Sequence, residues 1–213
     1  KKLKIFPTNK ITVLYDPIIK ISDIIKQKKE TLDNTFSNNF YLSIGRLTRQ
    51  KNHILLLKAF KKQIKKDDNL RLYIIGDGEK KDYLKNFISK NNLTKNILLL
   101  GHKENVFPFL YMAKATVVTS LWEDPGAVMI ESAFCNTQVI SSNCKNGPSE
   151  FIMNNEAGYL FDNNNLNSLN NAIDNFISDS EELRKKKKIM AKKNSKNYTF
   201  FNHYKKLNSI LND

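Results

Sequence analysis

Phe40-Tyr41-Leu42-Ser43-Ile44 is a short apolar run, closed by Gly45 and followed by Arg46-Leu47-Thr48-Arg49-Gln50-Lys51 and then Asn52. Over residues 52–66 the apolar period changes, and Leu56, Leu57, Phe60 and Ile64 fall on one helical face. A buried strand, a glycine-closed loop and an amphipathic helix make the first half of a strand–helix–strand unit.

The same figure recurs along the chain. Residues 70–75 read as a strand ended by Gly76-Asp77-Gly78, 80–91 as a helix, and 97–100 as a strand ended by Gly101. Residues 105–113 read as a short helix with Pro108 near its first turn. Strands follow at 116–119, 138–141 and Tyr159–Phe161, with a helix at Ala127–Phe134 between the first two. Helices then occupy about 166–178, 181–193 and 200–211. Upstream, 11–15 reads as a short strand, Asp16-Pro17 as a turn and 20–32 as a weakly periodic helix. Residues 1–36 are read as a connector with a flanking helix, and 37–213 as the domain proper. The fold class is α/β: a Rossmann-like, doubly wound parallel sheet covered on both faces. In such folds ligands bind at the carboxyl ends of the strands, so the loops after Ile44, Ile75, Leu100, Thr119 and Ser141 should face one cleft.

The bulk numbers suit this reading. The chain has 213 residues, 40% of them hydrophobic, which supports one packed domain and argues against wholesale disorder. No apolar run approaches the roughly 20 residues of a membrane span. Lys1 to Pro7 is basic but has no apolar signal core, and it reads as the middle of a longer protein. Cys135 and Cys144 lack metal-ligand spacing and suit a reducing compartment, so the expected location is cytoplasmic. The formal charge of +14 leaves four readings open: nucleic acid, an anionic membrane surface, anionic substrates, or solvated faces filled with Lys and Asn. The cluster Arg184, Lys185, Lys186, Lys187, Lys188, Lys192 and Lys193 has no interleaved aromatics to stack bases. It reads as an exposed helix face or as a patch resting near acidic lipid.

Four groups carry candidate chemistry. The first is Gly45 through Asn52, where Arg46 and Lys51 flank a helix N-terminus. Free N–H groups and the helix dipole favour an anion there, and a planar guanidinium beside a mobile ammonium suits a diphosphate. The second is Glu123-Asp124-Pro125-Gly126-Ala127-Val128-Met129-Ile130-Glu131, with seven residues between the two glutamates. Carboxylates so placed can accept hydrogen bonds from two hydroxyl-bearing parts of one ligand. Gly126 permits close approach, and the N–H groups of Ala127, Val128 and Met129 are expected to point outward. The third, Asn146 to Glu150, reads as turn chemistry with Ser149 as a helix N-cap. The fourth, Gly76-Asp77-Gly78-Glu79, lacks the third glycine of a dinucleotide loop. No Asp-x-Asp, Walker or Gly-x-Ser-x-Gly motif occurs. Of His53, His102 and His203, only His102 falls at the expected cleft.

Gly45-Arg46 with Lys51 five residues on, Gly76-Asp77-Gly78, Gly101-His102 and Glu123 through Glu131 together resemble family four of the retaining glycosyltransferases. The resemblance covers roughly residues 11–211 and implies the C-terminal half of a two-domain enzyme of the GT-B fold. It looks most like bacterial enzymes building O-antigen, capsule or glycoprotein glycans. It implies that Arg46 and Lys51 bind and stabilise the donor diphosphate, Glu131 holds ribose hydroxyls and Glu123 contacts the transferred sugar. It implies backbone contacts from Gly45, Gly126, Ala127, Val128 and Met129, and a base near His102, Lys103 and Val106. The donor would be a nucleotide-diphosphate sugar, UDP-linked by family frequency, with no metal or other cofactor. The acceptor, a glycan or polyprenyl-diphosphate-linked glycan, would be held by an N-terminal domain outside this chain. The fragment alone should then bind donor and barely catalyse. Rival readings are a non-catalytic nucleotide-binding module and a nucleic-acid-binding α/β domain.

Overall fold

The computed structural model describes residues 11–27, 36 and 39–212. Its centre is a six-stranded parallel sheet. The strands are β1 (Phe40–Ile44), β2 (Arg71–Ile75), β3 (Ile97–Gly101), β4 (Ala115–Val118), β5 (Gln138–Ser142) and β6 (Tyr159–Phe161). Their order is β3-β2-β1-β4-β5-β6, so the sheet grows one way from β1 and then the other way from β4. Tyr41 pairs with Leu72 on one side and with Ala115 on the other.

The alternation within each strand decides which helices cover which face. Tyr41, Leu72, Ile74 and Ile140 point to one core, closed by α2 (His53–Ile64), α3 (Lys81–Lys90) and α7 (Leu166–Ser178). Leu42, Tyr73, Ile75 and Val139 point to the other face, beneath α4 (Phe107–Met112), α5 (Ala127–Phe134) and α8 (Glu181–Ser195). Strands apolar on both faces are the rule where crossover helices cover both sides of a parallel sheet. The remaining helices are α1 (Ile21–Gln27), α6 (Pro148–Ile152) and α9 (Phe200–Asn212).

Two sequence readings are corrected. Residues 11–15 form no strand; the chain runs irregularly to a single bridge between Ile19 and Thr199. Loose alternation over five residues is a weak strand signal, and this segment pairs with neither edge strand, β3 or β6. Ser149 is not the N-cap of α6: Gly147 holds that place, without a side-chain cap bond. Pro148 at the first position of α6 fixes the start two residues earlier than a serine cap would. Of the reading at 20–32, the part beyond Gln27 lies outside the described residues. The segment before β1 joins the core, since Ile19 and Ile24 are 1% and 3% exposed and pack with α5 and α8 residues.

Phe60 is fully buried in the first core and meets Tyr41 edge-on at 5.2 Å. Phe60→Ala is expected to destabilise the chain by about 3–5 kcal/mol. Urea denaturation measures this, and a loss below about 1 kcal/mol would mean that the α2 face collapses onto the cavity.

Candidate functional site

β1 and β4 are neighbours at the point where the strand order reverses. The loops leaving their carboxyl ends diverge toward opposite faces, which opens a crevice between them. The β1 loop is fixed from both sides. Leu47 donates its backbone N–H to Asp77 O in the β2 loop (2.9 Å), and Leu121 donates to Gln50 O from the β4 loop (2.8 Å). The Gln50 amide donates to Trp122 O (3.0 Å), and the Thr119 hydroxyl donates to Lys51 O (2.9 Å).

Within this frame Lys51 Nζ lies 2.6 Å from Glu123 Oε1. The side chains are 19% and 8% exposed, so the pair is largely withdrawn from water. The Ser120 hydroxyl donates to the same Oε1. Glu123 is thereby fixed by two donors on one oxygen. The 143–147 loop clamps the other side: Glu123 N–H donates to Lys145 O (3.3 Å), and Ser142 Oγ donates to Ser120 O (2.6 Å). Gly147 lets this loop approach the Pro125 backbone, because a Cβ there would sit 2.2 Å from Pro125 O. Arg46, one residue after Gly45, is exposed and makes no ion pair among the described residues.

α5 begins beside this pair, with Gly126 as its N-cap at φ 94°. The expectation of three outward N–H groups is corrected at Met129, whose N–H donates to Gly126 O (3.0 Å). The Ala127 and Val128 N–H groups have no backbone acceptor among the described residues. One turn further in, Glu131 is half-buried, and its carboxylate makes no hydrogen bond or ion pair there. Burial pushes its pKa up to about 7. A carboxyl group that is desolvated and left unpaired beside open N–H groups is unusual in a structural role.

The other expected residues are placed further out. His102 and Lys103 are exposed in the loop after β3, the edge strand two places from β1. Val106 is the N-cap of α4 and packs partly into the core. The glycines of the Gly76-Asp77-Gly78 turn have a packing reason. A Cβ on Gly76 would fall 2.0 Å from Gly45 O, and one on Gly78 2.7 Å from Leu47 O. The sequence reading passed over His53. It is the first residue of α2, 3% exposed, and its pKa is lowered to about 4 by burial and then by the Lys51 charge. Nδ1 of this neutral imidazole has no hydrogen-bond partner among the described residues. Among the described residues no three His, Cys, Asp or Glu side chains converge as a metal-holding group. No helix there is long and apolar enough to cross a membrane.

Comparison with known proteins gives this geometry a setting. The family described as Glycosyl transferases group 1 matches residues 24–196. The chain is 35% identical over 189 residues to the N-acetylgalactosamine-N,N'-diacetylbacillosaminyl-diphospho-undecaprenol 4-alpha-N-acetylgalactosaminyltransferase of Campylobacter jejuni, covering 88% of this chain and 49% of that protein. Among solved structures, a point mutant of S. aureus TarM in complex with Fondaparinux, alpha-GlcNAc-glycerol and UDP superposes with a TM-score of 0.74 at 27% identity. The match covers 86% of this chain and 38% of TarM. The C-terminal domain of LpcC from Francisella tularensis has a TM-score of 0.66 at 21% identity, with 88% of this chain and 97% of that one covered. The chain spans about half or less of the length of the curated relatives it matches.

The Glu131 environment sets a pH dependence. Its folded pKa of about 7 lies above the ordinary 4.5. The folded state keeps a proton over a window in which the unfolded chain has released it. The stability this gives is fully present below about pH 4.5 and is lost as pH rises through 7. Glu131→Gln removes that loss, so the variant should be more stable than the parent by about 1–3 kcal/mol at pH 8. The gap should close toward pH 5. Thermal melts of both proteins across this range check it, and a gap independent of pH would show that burial is not what shifts Glu131.

Proposed function

The chain belongs to the glycosyl transferases group 1 family, and from that premise we propose that it is the donor-binding half of a two-domain, GT-B-type enzyme that takes a UDP-linked sugar. The observation that carries the reading is the set of groups around the β1/β4 crevice. Arg46, which forms no ion pair among the described residues, a Lys51 held by Glu123, two N–H groups without a backbone acceptor at the start of α5 and a Glu131 one turn further in all lie on the loops and helix start of that rim. Together they offer cations for a diphosphate and carboxylates for hydroxyl groups. The UDP in the related TarM complex supports uracil as the base. The name of the Campylobacter relative supports a diphospho-polyprenol-linked glycan as acceptor.

In the proposed reaction the anomeric carbon–oxygen bond to the β-phosphate breaks, and negative charge grows on the leaving phosphate. Arg46 and the Lys51 ammonium stabilise that charge in place, and the Ala127 and Val128 N–H groups add oriented dipoles. These fixed donors do the work that a divalent cation does elsewhere, and we propose transfer without a metal. The acceptor hydroxyl attacks from the face the phosphate leaves, and its proton passes to a leaving phosphate oxygen, so configuration is retained. Glu123 is not needed as a nucleophile. Its Oε1 takes the bonds from Lys51 and Ser120, and Oε2 is assigned to the hydroxyls of the transferred sugar. Glu131 is assigned to the ribose diol. His102 and Lys103 are assigned to the rim around the base, with Val106 beneath it. The acceptor side belongs to a second domain. α9 is the surface that would meet it, since Phe201, Tyr204 and Leu211 there are 70%, 69% and 73% exposed. Cys135 and Cys144 are buried and form no disulfide among the described residues, which fits work in the cytoplasm, at the inner face of the membrane where such acceptors are held.

Calorimetric titration of this chain with UDP, GDP and ADP tests the reading. UDP is expected to bind. Arg46→Ala, which breaks no ion pair, should weaken it about tenfold, or roughly 1.4 kcal/mol, and Lys51→Ala at least as much. Unchanged affinity in Lys51→Ala would remove Lys51 from the site. Ribose hydroxyls donate to the ionised carboxylate, so binding pulls the Glu131 pKa down. Affinity should therefore rise with pH between 6 and 8 more steeply in the parent than in Glu131→Gln, which controls for the charge change of the nucleotide itself. Parallel pH profiles would take Glu131 out of the ribose contact.

A further inference from the structure

The opposite, amino-terminal rim of the same sheet carries a groove of about 1050 Å³. Tyr41 at the start of β1, Lys114 just before β4 and Gln138 at the start of β5 line one side. The end of α7 and one stripe of α8 form the other. Five cations line the groove against one carboxylate, that of Glu181.

The stripe follows from helical spacing. Arg184, Lys188 and Lys192 stand four residues apart, with Lys185 beside them. Arg184 is committed elsewhere, since its guanidinium donates to Phe176 O (3.2 Å), Ile177 O (3.3 Å) and Asp179 O (2.6 Å) at the end of α7. Lys114, Lys185, Lys188 and Lys192 form no ion pair among the described residues. Like charges at this spacing repel, and an anion in the groove relieves them.

Gln138 is an independent sign. It is 2% exposed, it lines the groove, and neither Oε1 nor Nε2 has a hydrogen-bond partner among the described residues. A buried amide is normally satisfied on both atoms. A donor for Oε1 and an acceptor for Nε2 are both wanted there, and a hydroxyl can serve as either. The lysines ask for a phosphate at the same place.

We propose that this groove is a second ligand site, separate from the β1/β4 crevice, for a hydroxyl-bearing phosphate ester. The lysine stripe and Lys114 hold the phosphate, and Gln138 holds the hydroxyl. The ester is either a free small molecule or the headgroup of an anionic lipid. Tyr41 and Ile189 supply the apolar walls. The site does not depend on the donor reading, because it shares no residue with that crevice.

The test has two arms on the 213-residue chain. Glycerol phosphate is titrated by NMR, and phosphatidylglycerol vesicles are used in co-sedimentation. Each arm is repeated with Lys188→Ala, Lys114→Ala and Gln138→Leu. Arg46→Ala serves as the control for anion binding at the other rim. In the free-ester case glycerol phosphate binds, Lys188→Ala and Gln138→Leu each weaken it fivefold or more, and Arg46→Ala changes it less than twofold. In the headgroup case glycerol phosphate does not titrate, but vesicles bind and the same two variants release them. Gln138→Leu should melt no lower than the parent, since the amide has no partner to lose. If that variant fails to fold, Lys114→Ala, on the wall away from α8, carries the comparison. Vesicle binding that Lys188→Ala weakens, but Gln138→Leu and Lys114→Ala leave alone, would reduce the feature to general surface attraction and overturn the site. Absence of binding in both arms would overturn it as well.

Discussion

Between β1 and β4 the sheet reverses its direction of growth, and the backbone pairing of Tyr41 with Ala115 and Leu42 with Thr116 fixes that junction. Everything at the carboxyl rim depends on it. Adjacent strands whose crossover helices leave to opposite faces cannot have their loops packed side by side over the sheet, so a crevice is unavoidable there. The chain then uses hydrogen bonds to set the width of that crevice. Leu121 N–H to Gln50 O and Thr119 Oγ to Lys51 O tie one loop to the other below the opening. The 143–147 loop braces the far side through Lys145 and Gly147.

Set in that frame, the Lys51–Glu123 pair is better understood as orientation than as stabilisation. Withdrawing two charges from water costs several kcal/mol per ion, and their attraction only partly offsets this. The backbone bonds already join the loops, so the pair is not needed to hold them together. What it adds is direction: the ammonium is held at one end of the crevice with N–H bonds left over, and the carboxylate keeps one oxygen outside the pair. Partners separate Glu131 from Glu123. Both lie near the start of α5, yet Glu123 has Lys51 and Ser120 while Glu131 has neither, and burial pushes the Glu131 pKa up to about 7.

The sheet was legible in the sequence because each strand is apolar on both faces and each helix on one. Short continuous apolar runs and the 3.6-residue helical period then locate the element edges within a residue or two, as at Phe40–Ile44 and Ala127–Phe134. Arg46, Lys51, Glu123 and Glu131 were legible as candidates because all fall in loops or helix starts on one rim. Their mutual contacts were not. That Lys51 and Glu123, 72 residues apart, form one ion pair is set by strand order, which local pattern does not encode. Burial of His53 was hidden for the same reason, since a histidine at a helix start is ordinarily exposed. The N-cap at Gly147 instead of Ser149 was missed because Gly147 has two demands on it. Its φ is 111°, and Pro125 O leaves no room for a side chain.

The basic run of α8 makes the same point about charge. Read along the chain, Arg184 to Lys188 is one uniform patch. The helix sorts it into different tasks. Arg184 turns inward to the carbonyls at the end of α7, and Lys187 lies 4.4 Å over the Tyr159 ring with its ammonium 2.7 Å from Asn155 O. Those two charges are consumed by the fold, in packing α8 against α7 and β6. Lys185, Lys188 and Lys192 are turned toward the groove, where they meet Lys114 and the buried Gln138 amide. The formal charge of +14 is therefore not a property of the surface as a whole. Part of it is paired, as at Lys51, and part caps helices. Four of the lysines, Lys114, Lys185, Lys188 and Lys192, gather at the amino-terminal rim, where repulsion among them and an unpartnered buried amide both favour an anion that also carries a hydroxyl.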